Sequence, residues 1–266
     1  PAGPFEPISS LRGAIGVFDS GVGGLSVLQA IRTQLPHEHL VYVADSGHAP
    51  YGDKPAAHIV DRTLSVGLWL AAQGVRAITV ACNTATVMAV HELRRQTHLP
   101  VVAIEPAIKP AAQLTRTGVV GVLATQQTIR SEGVARLVER FGLGVKFVLQ
   151  PCPGWVEQVE RGELDTPATL EMVERDTRAL KAAGADVWVL GCTHYPFLTS
   201  AIRRAAGPAV QLLDPAQAVA KELVRRLPPA MPGTSVFPGV TCYTSGDPAQ
   251  TQRVMARLWG TERASI

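Results

Sequence analysis

Apolar runs rich in Val and Ile alternate along the chain with longer stretches in which apolar and polar residues recur at helical spacing. The apolar runs cover 14–18, 40–44, 77–81, 101–104, 118–123, 145–149, 187–190 and 210–213. They are near-continuous rather than alternating, the pattern of strands in a parallel sheet covered on both faces. The stretches between them predict helices over 24–34, 55–73, 84–97, 106–114, 129–141, 169–183, 195–206 and 215–227. Gly74, Gly142 and Gly184 follow three of these, where helix stop signals belong. A strand over 236–244 and a helix over 247–258 complete the pattern. Such alternation predicts an α/β protein with doubly wound parallel sheets, more than one of them.

A loose internal repeat supports two sheets. Residues 16–20 (Gly-Val-Phe-Asp-Ser) resemble 121–125 (Gly-Val-Leu-Ala-Thr), and 79–84 (Thr-Val-Ala-Cys-Asn-Thr) resemble 189–194 (Val-Leu-Gly-Cys-Thr-His). In each, an apolar strand runs into a small or polar turn that opens a helix. The chain therefore reads as two similar halves, each with one strand-end Cys and one strand-end hydroxyl.

Composition narrows the class. The chain of 266 residues is 46% hydrophobic with a net charge of +3, which excludes disorder and allows a large core. Its longest apolar runs fall far short of the ~20 residues a spanning helix needs, so no membrane partner is expected. The basic residues are scattered over helical patterns, with no groove-reading motif, so no nucleic acid is expected either. Residues 1–7 show no basic or long apolar region, and so no signal peptide. They read as a short flexible extension. None of the four cysteines has C-x-x-C spacing, which argues against structural zinc and for reduced thiols in the cytoplasm.

In open α/β sheets, ligands bind beyond the carboxyl ends of the strands. The segments found there are Asp19-Ser20-Gly21-Val22-Gly23-Gly24, Asp45 to Gly52, Cys82-Asn83-Thr84, Thr125 to Thr128, and Cys192-Thr193-His194. They are rich in hydroxyls and glycines, hold two thiols and lack Arg. Cys82 and Cys192 each stand where a strand passes into a helix, whose free N–H groups and partial positive charge favour a thiolate. A small residue filling a tight corner is the alternative for either one alone. The matched pair favours chemistry: a base on one face of a stereocentre and an acid on the other. Asp19 could orient or deprotonate a thiol, hold a substrate ammonium, or cap a helix together with Ser20. His194 could tune Cys192, contact a carboxylate, or simply cap. Asn83, Thr84 and Thr193 suit both helix capping and carboxylate binding. Cys152 and Cys242 read as filler. Gly21-Val22-Gly23-Gly24 imitates a dinucleotide fingerprint but has Ser26 in place of the third glycine and Asp19 beside the phosphate position.

Taken together, Ile15-Gly-Val-Phe-Asp-Ser-Gly-Val-Gly-Gly-Leu25, Pro50-Tyr51-Gly52, Ala81-Cys-Asn-Thr-Ala85 and Gly191-Cys-Thr-His-Tyr-Pro-Phe-Leu198 resemble glutamate racemases, in order over most of the chain. The resemblance implies a cofactor-independent enzyme that interconverts L- and D-glutamate for peptidoglycan synthesis. It implies Cys82 and Cys192 as the two proton-transfer bases, with Cys82 serving D-glutamate and Cys192 L-glutamate. Asp19 and His194 would tune the thiols, with Glu160 assisting. Ser20, Pro50, Tyr51, Gly52, Asn83, Thr84, Thr125 and Thr193 would contact the substrate. No cofactor and no metal are implied. The implied fold is two pseudo-symmetric α/β domains facing each other across the active site, in a cytoplasmic homodimer. Residues 14–105 with 215–266 would form the first domain and 106–214 the second, after an extension over 1–13. Two other readings are an aspartate or hydantoin racemase on the same scaffold, and a small-ligand or nucleotide-binding module.

Overall fold

The computed structural model describes residues 11–142, 144–229 and 238–260. Four strands open the chain: β1 (Ile15–Asp19), β2 (His39–Ala44), β3 (Ala77–Val80) and β4 (Val101–Ala103). Four more follow: β5 (Val119–Ala124), β6 (Lys146–Pro151), β7 (Val187–Leu190) and β8 (Gln211–Leu213). A last strand, β9 (Gly239–Thr244), joins the first group. All pairings are parallel, in two sheets ordered β4-β3-β1-β2-β9 and β6-β5-β7-β8. With β9 set aside, both sheets run second, first, third, fourth. The weak sequence repeat is therefore a repeat of topology, in which β1 matches β5 and β3 matches β7.

The helices are α1 (Leu25–Gln34), α2 (Ala56–Ala72), α3 (Asn83–Gln96), α4 (Ile108–Leu114), α5 (Gln126–Arg130), α6 (Glu132–Phe141), α7 (Trp155–Glu160), α8 (Pro167–Ala182), α9 (Thr199–Ala206), α10 (Ala216–Arg226) and α11 (Pro248–Trp259). None among the described residues is long and apolar enough to cross a membrane. They cover both sheet faces, which is why Ile15, Val17 and Phe18 are all fully buried although successive side chains point to opposite faces. α10 packs on α1 and β4, and β9 pairs with β2, so the end of the chain returns to the first sheet. One apolar cluster runs from Leu25 and Leu28 in the first half to Trp155, Val159 and Tyr195 in the second.

The structure departs from the sequence pattern in a few places, each with a local cause. The helix expected over 129–141 is two helices, α5 and α6. Ser131 is extended (φ −71°, ψ 144°), accepts the Val134 N–H at 3.2 Å and donates to the Thr128 carbonyl at 2.7 Å, so its hydroxyl restarts the helix. α8 begins earlier than expected, with Thr166 as cap and Pro167 in the first turn. The expected 195–206 helix opens with a 3-10 turn over Tyr195–Leu198 that contains Pro196. α7 has no counterpart in the pattern, because six residues are too few to show a helical period. The expected strand over 236–244 is described only from β9, and residues 236 and 237 lie outside the described residues. Residues 1–10 of the expected extension lie outside them too, whereas Leu11 is buried in the core below β1. Gly74 and Gly184 end their helices with positive φ. Gly142, at φ −93°, ends α6 without it.

Over the second sheet, Leu180 of α8 occupies the space left by Gly121 of β5, next to Trp188. Leu180→Ala is expected to lower unfolding free energy by about 2–5 kcal/mol, because a fully buried side chain is removed and Gly121 has no side chain to fill the cavity left behind. Urea denaturation reads this directly, and a loss well under 1 kcal/mol would mean that the layer collapses into the gap.

Candidate active site

The carboxyl ends of β1, β3, β5 and β7 run into Asp19, Cys82, Thr125 and Cys192 respectively. Cys82 is the N-cap of α3, and its Sγ accepts the Ala85 N–H at 3.5 Å. The sulfur singled out in the sequence is thus also the helix cap. The thiol also lies 3.5 Å from Ser20 Oγ. Burial pushes the Cys82 thiol well above its usual range, and the charge of Asp19 adds to this. The bonds with Ala85 and Ser20 pull the other way without cancelling it.

In the second half, Cys192 Sγ lies 3.7 Å from His194 Nδ1. The other ring nitrogen, Nε2, bonds Glu160 Oε1 at 2.7 Å. Burial disfavours charge on His194, but its bonds to Cys192 and Glu160 outweigh burial and raise its pKa well above the usual range. The imidazole is therefore held protonated. Glu160 sits at the end of α7 and reaches across to the first half. Its Oε1 accepts the Val22 N–H at 2.7 Å and its Oε2 accepts from Ser46 Oγ at 3.2 Å. Two glycines make this approach possible. A Cβ on Gly21 would overlap the Glu160 carboxylate, and one on Gly23 would overlap the His194 ring.

Asp19 is fully buried and bridges the halves in its own way. Oδ2 accepts the Gly24 N–H at 2.7 Å, and Thr193 Oγ1 lies 3.3 and 3.4 Å from its two oxygens. Burial raises its pKa, and the nearby His194 charge and the Gly24 bond only partly offset this. The glycine loop holds no free cradle for a pyrophosphate. Its Val22 and Gly24 N–H groups are already bonded to the carboxylates of Glu160 and Asp19.

Around the thiols lie the remaining candidates. Both polar atoms of the Asn83 side chain are buried without a partner, which leaves a donor and an acceptor available beside Cys82. Thr84 Oγ1 lies 3.0 Å from Thr125 Oγ1 and 3.1 Å from Thr128 Oγ1, and the latter two are 3.0 Å apart. This buried hydroxyl triangle joins α3 to α5 across the halves. Thr128 lies in the strand-end segment named from the sequence but was not singled out as a contact, and only its hydroxyl one helical turn after Thr125 could have pointed to it. Gly52 packs on the second half, where a Cβ would lie 2.7 Å from Thr125 Cβ. Pro50 lines a cavity of about 230 Å³ with Val22, Ser46, Val156 and Glu160. Tyr51 is the exception among the expected contacts. Its hydroxyl donates to Asp45 Oδ2 at 2.6 Å, which ties it into a polar cluster that the sequence pattern did not reveal, while the ring stays in the apolar cluster that holds Cys82. All four cysteines are free, and Cys152 is buried in the same apolar cluster as Cys192.

Comparison with known proteins follows the same lines. The family model described as Asp/Glu/Hydantoin racemase matches residues 15–223. The glutamate racemase of Methylococcus capsulatus is 51% identical over 247 residues, 92% of this chain and 91% of the relative. Escherichia coli glutamate racemase, crystallised with L-glutamate and the activator UDP-MurNAc-ala, superposes with a TM-score of 0.82 at 33% identity, covering 93% of this chain and 95% of that one. The Francisella tularensis glutamate racemase with D-glutamate gives 0.79 at 26%, covering 93% of each. Matched over this length, the chain is an amino-acid racemase, an isomerase that belongs to the Asp/Glu/Hydantoin racemase family.

Proposed function

We propose that this protein interconverts L- and D-glutamate by proton transfer between Cys82 and Cys192. The observation that carries this reading is the placement of the two thiols at equivalent strand ends of two sheets with one topology, each within electrostatic reach of the other. The choice of glutamate is supported by the relatives named above. In this reading, residues 14–105 with 215–266 and residues 106–214 are the two domains that enclose the substrate. The resemblance further supports a cytoplasmic homodimer whose D-glutamate enters peptidoglycan.

The two thiols differ in their surroundings. Cys82, beside the Asp19 carboxylate, is kept as an S–H acid. Cys192 faces an imidazolium that carries a counter-charge for anionic sulfur. Starting from L-glutamate, the Cys192 thiolate takes the α-proton and leaves its electron pair on the substrate as a carbanion delocalised into the carboxylate. Cys82 S–H then donates a proton to the opposite face. The product is D-glutamate, with the thiol now on Cys192 and the thiolate on Cys82. Reversal runs the same steps backwards. The amide of Asn83, the hydroxyls of Ser20, Thr84 and Thr193 and the first N–H groups of α3 are suited to hold the α-carboxylate as charge grows on it. Cys82 and Cys192 are 4% and 7% exposed, so in this reading the halves separate to admit substrate.

Incubation with L-glutamate in deuterated water tests the reaction. Loss of optical rotation with deuterium appearing at the α-carbon is expected. L-aspartate and a hydantoin should react far more slowly, and the reverse ranking would transfer the activity to another substrate of the family. Cys82→Ala and Cys192→Ala should each lower racemisation by about 10²–10⁴ while the unfolding midpoint stays near wild type. Near-normal turnover by either variant would sink the two-base mechanism. Glu160→Gln removes a charge that helps keep His194 protonated. The His194 pKa then falls, the imidazolium is lost at lower pH, and the alkaline limb of kcat/KM for L-glutamate should move down by about one pH unit. An unmoved limb would leave Glu160 without a tuning role.

A further inference from the structure

The segment that carries Pro50, Tyr51 and Gly52 leaves β2 through two single 3-10 turns, Ser46–His48 and Tyr51–Asp53. No strand ladder holds it. Asp45, the residue directly after β2, does so instead, through four side-chain hydrogen bonds from three parts of the chain. Tyr51 OH donates to Oδ2 at 2.6 Å from within the loop. Arg62 of α2 donates from Nε to Oδ2 at 2.9 Å and from a terminal nitrogen to Oδ1 at 2.8 Å, a two-pronged pairing. Ser245, just beyond β9, donates to Oδ1 at 2.7 Å. The Asp45 backbone adds two more ties, its N–H to the Asp19 carbonyl at 3.0 Å and its carbonyl from the His48 N–H at 2.9 Å.

Ser245 braces the loop a second time. Its Oγ accepts the Gly47 N–H at 3.1 Å, and a Cβ on Gly47 would lie 2.5 Å from the Ser245 carbonyl oxygen. Burial alone would raise the Asp45 carboxyl. The bonds from Arg62, Ser245 and Tyr51 outweigh burial and hold the group below its usual range, as a charged acceptor. Burying an ion pair is a poor route to stability, since apolar residues of the same volume do as well or better. What this one supplies is a single geometry. It ties the Tyr51 phenol to Asp45 and leaves Gly52 pressed against Thr125 of the other half.

We infer that Asp45, gripped by Arg62 and Ser245, is a positioning residue that fixes the Pro50–Gly52 loop for substrate binding and makes that loop depend on the segment after β9. The inference rests on the racemase reading above. It predicts that loosening the grip weakens substrate binding and leaves the proton transfers, which occur at other residues, nearly as fast.

The test uses Asp45→Asn, Arg62→Lys and Ser245→Ala in the full chain, with two measurements on each. Steady-state kinetics of Asp45→Asn should show KM for glutamate raised about tenfold or more, with kcat within about threefold. Arg62→Lys keeps the charge but loses the two-pronged pairing, and should recover part of the wild-type KM. Ser245→Ala should fall between the two. Amide hydrogen exchange without substrate should quicken about tenfold over residues 46–54 in Asp45→Asn, while β1, β3 and β7 stay as protected as in wild type. If Asp45→Asn fails to fold, Arg62→Lys and Ser245→Ala report the same two quantities. A fall in kcat at constant KM, or loop exchange unchanged in the folded variants, overturns the inference. Wild-type protein inactive on glutamate would overturn the substrate reading instead, and the exchange measurement would still decide the role of Asp45.

Discussion

The arrangement depends most on one carboxylate that crosses between the halves. Glu160 Oε1 accepts from the Val22 N–H and from His194 at the same time, with Ser46 on its other oxygen. This one group neutralises the imidazolium beside Cys192, satisfies a backbone donor in the glycine loop and holds α7 against the first half. Its acceptor geometry requires that nothing project from Gly21 and Gly23. The glycines that look like a phosphate-binding loop are there because a protein carboxylate and a histidine ring press on the backbone. A pyrophosphate would compete with Glu160 and Asp19 for the same N–H groups and would meet two negative charges.

The buried ionisable groups give the two strand-end thiols different surroundings. Burial raises both the Cys82 thiol and Asp19, and their negative charges would repel if both were ionised. On the opposite side, His194 keeps its proton in spite of burial because two acceptors surround it. One sulfur therefore has a buried carboxyl group for a neighbour and the other an imidazole held between two acceptors. A symmetric scaffold thus carries an asymmetric field, and the field comes from residues that the repeat does not duplicate. The position matching Asp19 in β5 is Ala124, and the position matching His194 after β3 is Thr84.

Closure of the site follows from hydrogen bonding as much as from apolar packing. Thr84 pairs with Thr125 and Thr128 across the halves, and Ser26 reaches the Thr193 carbonyl at 3.0 Å. These are neutral bonds of ordinary length, each worth about 1 kcal/mol net, so they join the halves only weakly. Asn83 differs from them. Its amide has no partner to give up, and it stands as an unmet demand beside Cys82.

The parallel sheets, their duplication and the strand-end positions of the two thiols were legible in the order of residues. These are local properties. Unbroken apolar runs report strands buried on both faces, and the residue that ends such a strand lies at the sheet's carboxyl edge whatever the rest of the chain does. Asp19, Cys82, Thr125, Cys192 and His194 were therefore recognisable as strand-end chemistry, while the weight on Glu160 came from resemblance alone. Tertiary structure decided the rest. It folded Tyr51 onto Asp45, placed Thr128 in a triangle with Thr84, and joined Asp45 to Ser245 and Val22 to Glu160. The last two pairs lie 200 and 138 residues apart, and no periodicity encodes a partner at that distance. A hydrogen bond needs two groups within about 3 Å, and only the packing of one sheet and its loops against the other fixes which groups come that close.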